Sequence, residues 1–389
     1  MPTDIPLLYD GRAWADGRAM ALLAHLRGSG PVIRVPGDEA WAVLGHAEAV
    51  EVLSRPETYS SAWGTGVRSK HEGAAPPGLV SLNLSDPPLH TALRRAVAHV
   101  FTLSRLSTLT EGLARRMGEA LGALHARGGD FVTEVAQPIA LGTFGEWLSL
   151  EGGELQALGH LSRRLARAEE LHPGQHAQAY EEWRSADEAL QACLLEGWRQ
   201  GRSGVFWQLA REVRIDGAPL QERDVLYLLR LIVQTGHETT AHALSGALHA
   251  LLTQEVKLTQ LDEPTAAEEL LRWTTPIIRF GRRVTQPVRL GGVELAPGMR
   301  VIVFFSAANR DPAVFPEPDR LWLGRRPNPH LAFGAGPHTC LGAALARMQL
   351  RAFLQALREG PRLRLMAEPR RLISAVTAGF ASLPVTGRE

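Results

Sequence analysis

The chain has 389 residues, 45% hydrophobic and 21% charged, with 42 basic side chains against 41 acidic ones. The formal net charge of +1 excludes a global electrostatic attraction to nucleic acid or to a membrane surface. Two cysteines, Cys193 and Cys340, exclude a disulfide framework and fit a reducing compartment.

In chain order, the N-terminus "MPTDIPLLYDGRAWADGRAMALLAHL" lacks a basic segment followed by a long apolar run, so no secretory signal is predicted. No stretch approaches the ~20 apolar residues that span a bilayer. Short strands ("PVIRV", "AWAVL") and a helix from His46 to Leu53 follow. Residues 60–84 are rich in Gly, Ser and Pro and read as a long loop. Asp86 then stands as an N-cap, with Pro87 and Pro88 in the first turn of a helix. Helical patterns continue with breaks to Gln200, and residues 174–184 read as a helix–helix connection able to act as a lid. Residues 224–253 predict one long helix of roughly 30 residues, about 45 Å. Its first half, "VLYLLRLIV", is apolar almost all round and therefore expected to be buried. The segments "RRVTQPVRLGGVEL" and "MRVIVFFSA" read as strands. A last helix runs to Glu359, and "ISAVTAGFASLPV" is expected to return as strand and turn.

The densest chemistry lies in "HLAFGAGPHTCLGAALARMQL", residues 330–350. Gly334 and Gly336 permit a tight loop with backbone angles barred to other residues. Gly342 removes the side chain just after the sulfur of Cys340, so a flat, bulky group can lie close. A cysteine at a helix start faces unpaired N–H groups and the positive end of the helix dipole, both of which favour thiolate. Such a thiolate suits haem iron.

Phe333, Gly334, Gly336, His338, Cys340, Leu341 and Gly342 together resemble the haem-binding signature of the cytochrome P450 family. The resemblance implies one domain over residues 1–389, mainly α with a smaller β-rich part, in the P450 fold: a long central helix above the haem, the cysteine loop and its helix beneath. It implies haem b (iron protoporphyrin IX), with Cys340 as the axial ligand of the iron and Phe333, Gly334 and Gly342 against the macrocycle. The chain looks like a soluble bacterial-type member, cytoplasmic and monomeric, without the anchor helix of membrane-bound members.

Other motifs fit the same reading. In "TGHETT", residues 235–240, Glu238 and Thr239 form an acid–alcohol pair where an apolar helix would otherwise continue. Thr239 can turn its hydroxyl to the carbonyl one turn earlier and open the helix, and Gly236 leaves room there for a ligand or water. In the family this pair delivers protons during oxygen activation, which implies general acid–base work for Glu238 and Thr239. Thr235 departs from the Ala or Gly commonest at its position, which alters the shape of the pocket. Glu269 and Arg272, spaced i, i+3 in "EELLRW", resemble the family's Glu-x-x-Arg pair. The third member is expected at Arg320, the three holding the cysteine loop in place. His90, Arg94, Arg282 and His338 match positions that bind haem propionates, with Arg279 and Arg283 as close alternatives to Arg282. Arg94, Arg95, Arg325, Arg326, His330, Arg347 and Arg351 form either a solvated face or a docking patch for an acidic electron-transfer protein.

The implied activity is hydroxylation of a small, largely apolar organic substrate with one oxygen atom of O2. No flavin or nicotinamide fingerprint is visible. Electrons are thus expected from a separate ferredoxin and its reductase, with NAD(P)H upstream. The alternatives are an H2O2-driven peroxygenase, a branch that typically lacks the acid–alcohol pair, and a non-catalytic haem-thiolate sensor or ligand-binding protein. By family position the pocket draws on residues 60–84, 161–180, 229–240, 276–279 and 377–383. Ile277, Ile278 and Phe380 point to an apolar ligand, and His237 and Arg230 could instead meet a polar or acidic group.

Overall fold

Apolar side chains recurring every three to four residues set most of the helices. The computed structural model describes residues 5–35, 40–66, 80–102, 106–150, 152–170, 176–215, 217–254, 256, 258, 261–360 and 362–387. The main helices are α1 (Arg18–Arg27), α2 (His46–Ser54), α3 (Leu89–Ala98), α4 (Thr110–Arg127), α5 (Gln137–Leu148) and α6 (Gly152–Glu170). They continue with α7 (His176–Arg199), α8 (Val205–Glu212), α9 (Glu222–Gly236), α10 (Glu238–Thr253), α11 (Glu263–Thr274) and α12 (Ala343–Glu359). In α4 the buried face is Leu113, Met117, Leu121 and Leu124, and Gly128 at φ 69° ends the helix. Among the described residues no helix is long and apolar enough to cross a membrane.

Two helical cores meet along the paired helices α9 and α10. One joins α4, α10, α11 and α12 through residues such as Met117, Leu248, Leu270 and Phe353. The other joins α5 to α9 through Phe144, Leu158, Leu190, Trp207 and Leu229. Each fully buried Leu or Phe contributes roughly 1.5–3 kcal/mol of transfer free energy.

The largest sheet of the β part has five strands. Its strands are β1 (Val32–Arg34), β2 (Ala40–Val43), β3 (Tyr59–Ser60), β4 (Arg279–Val284) and β5 (Arg300–Phe304), in the spatial order β1-β2-β5-β4-β3. β2 and β5 run parallel and the other pairs antiparallel. The hairpin Val288–Leu290/Val293–Leu295 turns at Gly291 and Gly292, both at positive φ. A separate antiparallel sheet joins Leu363–Leu365, Pro384–Gly387 and Gly129–Asp130.

Four expectations change. The long helix is two: α9 ends at Gly236, His237 leaves helical geometry (φ −132°, ψ −38°), and α10 starts at Glu238. Thr235 Oγ1 donates to the Leu231 carbonyl (2.8 Å), and Thr239 Oγ1 to the Thr235 carbonyl (3.3 Å). Threonine hydroxyls that bond backward in this way compete with the ladder and bend helices. Asp86 does not cap α3, whose first turn has no side-chain cap. Its carboxylate accepts instead from the Ser60 hydroxyl and from the Ser61 N–H (2.8 Å), fastening the start of the 60–84 loop. Residues 67–79 of that loop lie outside the described residues. The connection expected at 174–184 is helical from His176 onward, with 171–175 outside the described residues. Ile278 and Phe380 belong to the core, leaving Ile277 as the partly exposed member of the expected apolar wall.

Candidate active site

The cysteine loop is folded by its glycines. Gly334 and Gly336 lie at φ 70° and 67°. A methyl at Gly336 would fall 2.3 Å from the Leu53 carbonyl oxygen, so this turn presses against the end of α2. The Cys340 N–H closes the loop on the Phe333 carbonyl (2.9 Å). At Gly342 an added methyl would meet nothing nearer than Cys340 Sγ, at 3.9 Å, so the space beside the sulfur is open. Cys340 is accessible at its own surface, yet enough protein surrounds it for burial to push its thiol up. The Gly342 and Ala343 N–H groups, Arg94 and Arg347 pull the other way without prevailing. The expected dipole advantage is thus outweighed by desolvation; α12 begins only at Ala343. Metal ligation deprotonates a thiol outright.

Beside the loop, four nitrogen-bearing side chains crowd together. The His90 and His338 rings lie 4.0 Å apart. Both His90 ring nitrogens and His338 Nε2 are buried without a hydrogen-bond partner among the described residues. Burial, Arg282, His90 and Arg94 lower the His338 pKa to about 3. Burial lowers Arg282 to about 10, against the pull of Asp86. A buried guanidinium calls for an anionic partner, and unpartnered buried ring nitrogens for hydrogen-bonding ones. Of the three arginines considered, Arg282 joins this cluster. Strand alternation turns Arg279 and Arg283 to the other face of β4. There Arg279 donates to the Leu8 carbonyl and lies over Tyr9 (4.6 Å), and Arg283 lies over Trp63 (4.3 Å). An open thiol next to two buried, unpartnered imidazoles and two arginines fits haem, which brings a soft-ligand iron and two carboxylates.

The acid–alcohol pair stands at the break between α9 and α10. Glu238 is buried, with Oε1 3.5 Å from His237 Nδ1, and Thr239 is partly exposed. Burial, followed by Arg163 and His242, lowers the His237 pKa to about 3. Gly236 does not leave room for a ligand. A methyl there would sit 2.0 Å from the Phe144 ring, which already occupies the space.

Glu269 and Arg272 form a fully buried, two-pronged pair (2.8 and 2.9 Å). The third member is Arg325, whose Nε lies 3.0 and 3.2 Å from the Glu269 oxygens. Arg320 is exposed and pairs with Glu317, lending only its carbonyl to the network. No spacing rule separates Arg320 from Arg325; burial does. The Trp322 N–H and Asn328 Nδ2 also bond to Glu269, and Arg272 donates to the Asn309 and Pro318 carbonyls. This network ties α11 to the segment leading into the cysteine loop. The basic cluster thins accordingly. Arg325 is buried, Arg347 and His330 bond to Glu268, and Arg326 pairs with Asp262. Arg95 and Arg351 remain exposed.

The family model described as "Cytochrome P450" matches residues 265–359, from the Glu269–Arg272 helix through α12. Cytochrome P450 126 of Mycobacterium tuberculosis is 33% identical over 382 residues, covering 90% of this chain and 89% of that protein. A steroid C26-monooxygenase of the same species is 30% identical, covering 97% and 96%. The solved structure of CYP268A2 from Mycobacterium marinum in complex with pseudoionone superposes with a TM-score of 0.81 at 27% identity, covering 97% of each chain. With this fold, cysteine loop and likeness over nearly its whole length, the chain belongs to the cytochrome P450 family and is a haem-binding oxidoreductase, a monooxygenase.

Proposed function

We propose that this enzyme hydroxylates a small, largely apolar organic molecule, using one oxygen atom of O2 on a haem b that Cys340 ligates. Electrons come from a separate ferredoxin-type protein and its reductase, with NAD(P)H upstream. The observation that carries the reading is the open thiol of Cys340 beside the unpartnered ring nitrogens of His90 and His338 and the buried guanidinium of Arg282. Haem supplies oxygen activation, and the thiolate's electron donation favours O–O cleavage.

The chain's own residues do the rest. Arg282, His90, His338 and Arg94 hold the carboxylates and fix the ring's orientation. Thr239 parks its hydroxyl on the Thr235 carbonyl; turning it away frees an O–H for the site. Glu238 carries a proton at its carboxyl and passes it on through Thr239 Oγ1. Phe144 seals the Gly236 side of the break. Arg230 is held by Asp187 (2.6 Å), which withdraws it from any acidic substrate and supports an uncharged one. The steroid named for one relative and the pseudoionone bound by another support an apolar class.

The first test is the absorption spectrum of the reduced, carbon-monoxide-bound protein. The red-shifted Soret band of thiolate-ligated haem is expected, and a band typical of histidine ligation overturns the assignment of Cys340. With a ferredoxin and reductase, Thr239→Ala is expected to lower product formed per NAD(P)H about tenfold. Unchanged coupling removes Thr239 from proton delivery. Turnover with H2O2 alone at the full rate favours the peroxygenase.

A further inference from the structure

Glu268 precedes the Glu269 anchor but points elsewhere, since neighbours on a helix diverge by about 100°. Its carboxylate meets two groups of the cysteine side. Arg347, on α12, holds both oxygens, Nε to Oε1 at 2.7 Å and Nη2 to Oε2 at 2.8 Å. His330 Nε2 lies 3.1 Å from Oε2, and its Nδ1 accepts the Ala332 N–H (3.2 Å), so the ring proton sits on Nε2 and faces Glu268. Burial works against the Glu268 charge, but the bonds from His330 and Arg347 outweigh it and lower its pKa to about 2. The Arg347 guanidinium in turn lies 4.6 Å over the Phe333 ring, and the Phe333 carbonyl is the acceptor for the Cys340 N–H. The pair is only about one-third exposed (34% and 26%), so solvent screens it incompletely.

We infer that Glu268 and Arg347 are positioning residues that set the reduction potential of the Cys340-ligated iron, Arg347 supplying positive field to the cysteine loop and Glu268 cancelling most of it. This rests on the haem-thiolate reading above. One-electron reduction removes one positive charge from the iron, so uncompensated positive charge nearby favours the ferrous form and uncompensated negative charge the ferric. A clamp without an electrostatic role would give no such signs.

The test is a spectroelectrochemical titration of the holoprotein, run after the carbon-monoxide spectrum. At a fixed applied potential, E268Q is expected to raise the ferrous-to-ferric ratio roughly three- to tenfold, and R347Q to lower it by a similar factor. E268D and R347K keep the charges and are expected to stay near wild type. The two sides of the pair test the idea independently, so one variant that fails to fold leaves the other to decide. Shifts of the same sign, or none, overturn the inference. Loss of haem in both E268Q and R347Q while R347K loads normally makes the pair structural and also overturns it. A wild-type spectrum without the thiolate band removes the underlying reading as well. A normal wild-type spectrum with unopposed shifts sinks this inference alone.

Discussion

Gly236 lies against the Phe144 ring, and a methyl group there would stand 2.0, 2.5 and 2.8 Å from three of its carbons. Phe144 is itself fully buried against Trp147 and His237, so the ring has little room to withdraw. Gly236→Ala is expected to cost about 1–3 kcal/mol. The measurement is the midpoint of denaturant unfolding, and Phe144→Leu in the same chain should recover part of the loss. A midpoint equal to wild type would show that the ring moves freely. What the sequence reveals at this scale depends on how local the constraint is. Gly334 and Gly336 are legible because a tight turn at positive φ demands glycine wherever it occurs. The purpose of Gly236 is not legible, because its partner lies on another helix. The same holds for Arg320 and Arg325: both are arginines at plausible distances from Glu269, and only the fold buries one of them.

Between elements, the contact of α7 with α9 turns on one ion pair. Arg230 Nε lies 2.6 Å from Asp187, with side chains 15% and 10% exposed. The guanidinium also sits over Trp183 and Tyr227, at 5.5 and 5.8 Å. Asp187 further accepts from Gln191 (2.7 Å). Removing one partner leaves a charge in a mostly dry seam. Asp187→Asn is therefore expected to cost about 2–3 kcal/mol, and D187L/R230L together less than that. Hydrogen exchange along α7 should quicken in the single variant first; unchanged exchange and unfolding would show the pair to be solvated. Helices and strands here were legible as elements, since α4 and α12 keep their apolar period and β5, after its first residue, is one unbroken apolar run buried on both faces. The join of α9 and α10 was not legible as a change of period, which is the same on both sides. The clue was chemical: a threonine hydroxyl able to bond backward, found at both Thr235 and Thr239. Asp86 shows the converse, a good capping residue drawn off by Ser60 and Ser61 of a distant segment.

Across the whole molecule the net charge of +1 conceals histidines that the fold keeps neutral. His237 is lowered to about 3 by burial and by the nearby Arg163 and His242, and His242 to about 4 by burial alone. At His242 the ring packs closely on Gly379, where an added methyl would lie 2.6 Å from Nδ1, and the side chain is buried. Both groups bind protons in the unfolded chain below their ordinary value of 6.5 but not in the native one. Their effect is absent above pH 6.5, and stability falls as pH drops from there towards 4. Each histidine contributes a slope of about 1.4 kcal/mol per pH unit, so the two give roughly 2.7. Between pH 6.5 and 4.5 the carboxylates interfere little, because Glu268, lowered to about 2, begins to weaken the fold only below its ordinary 4.5. Urea unfolding of the holoprotein at pH 7, 6 and 5 should show stability dropping with acidification while the haem spectrum stays constant. His242→Asn, with no titrating ring, should remove about 1.4 kcal/mol per pH unit of that slope, one histidine's share, while His249, lowered to about 4 by burial and by Arg371, adds to what remains. Equal stability at pH 7 and 5, or a slope that His242→Asn leaves untouched, would mean that water reaches these rings and that the space around the α9–α10 break is wetter than its packing shows.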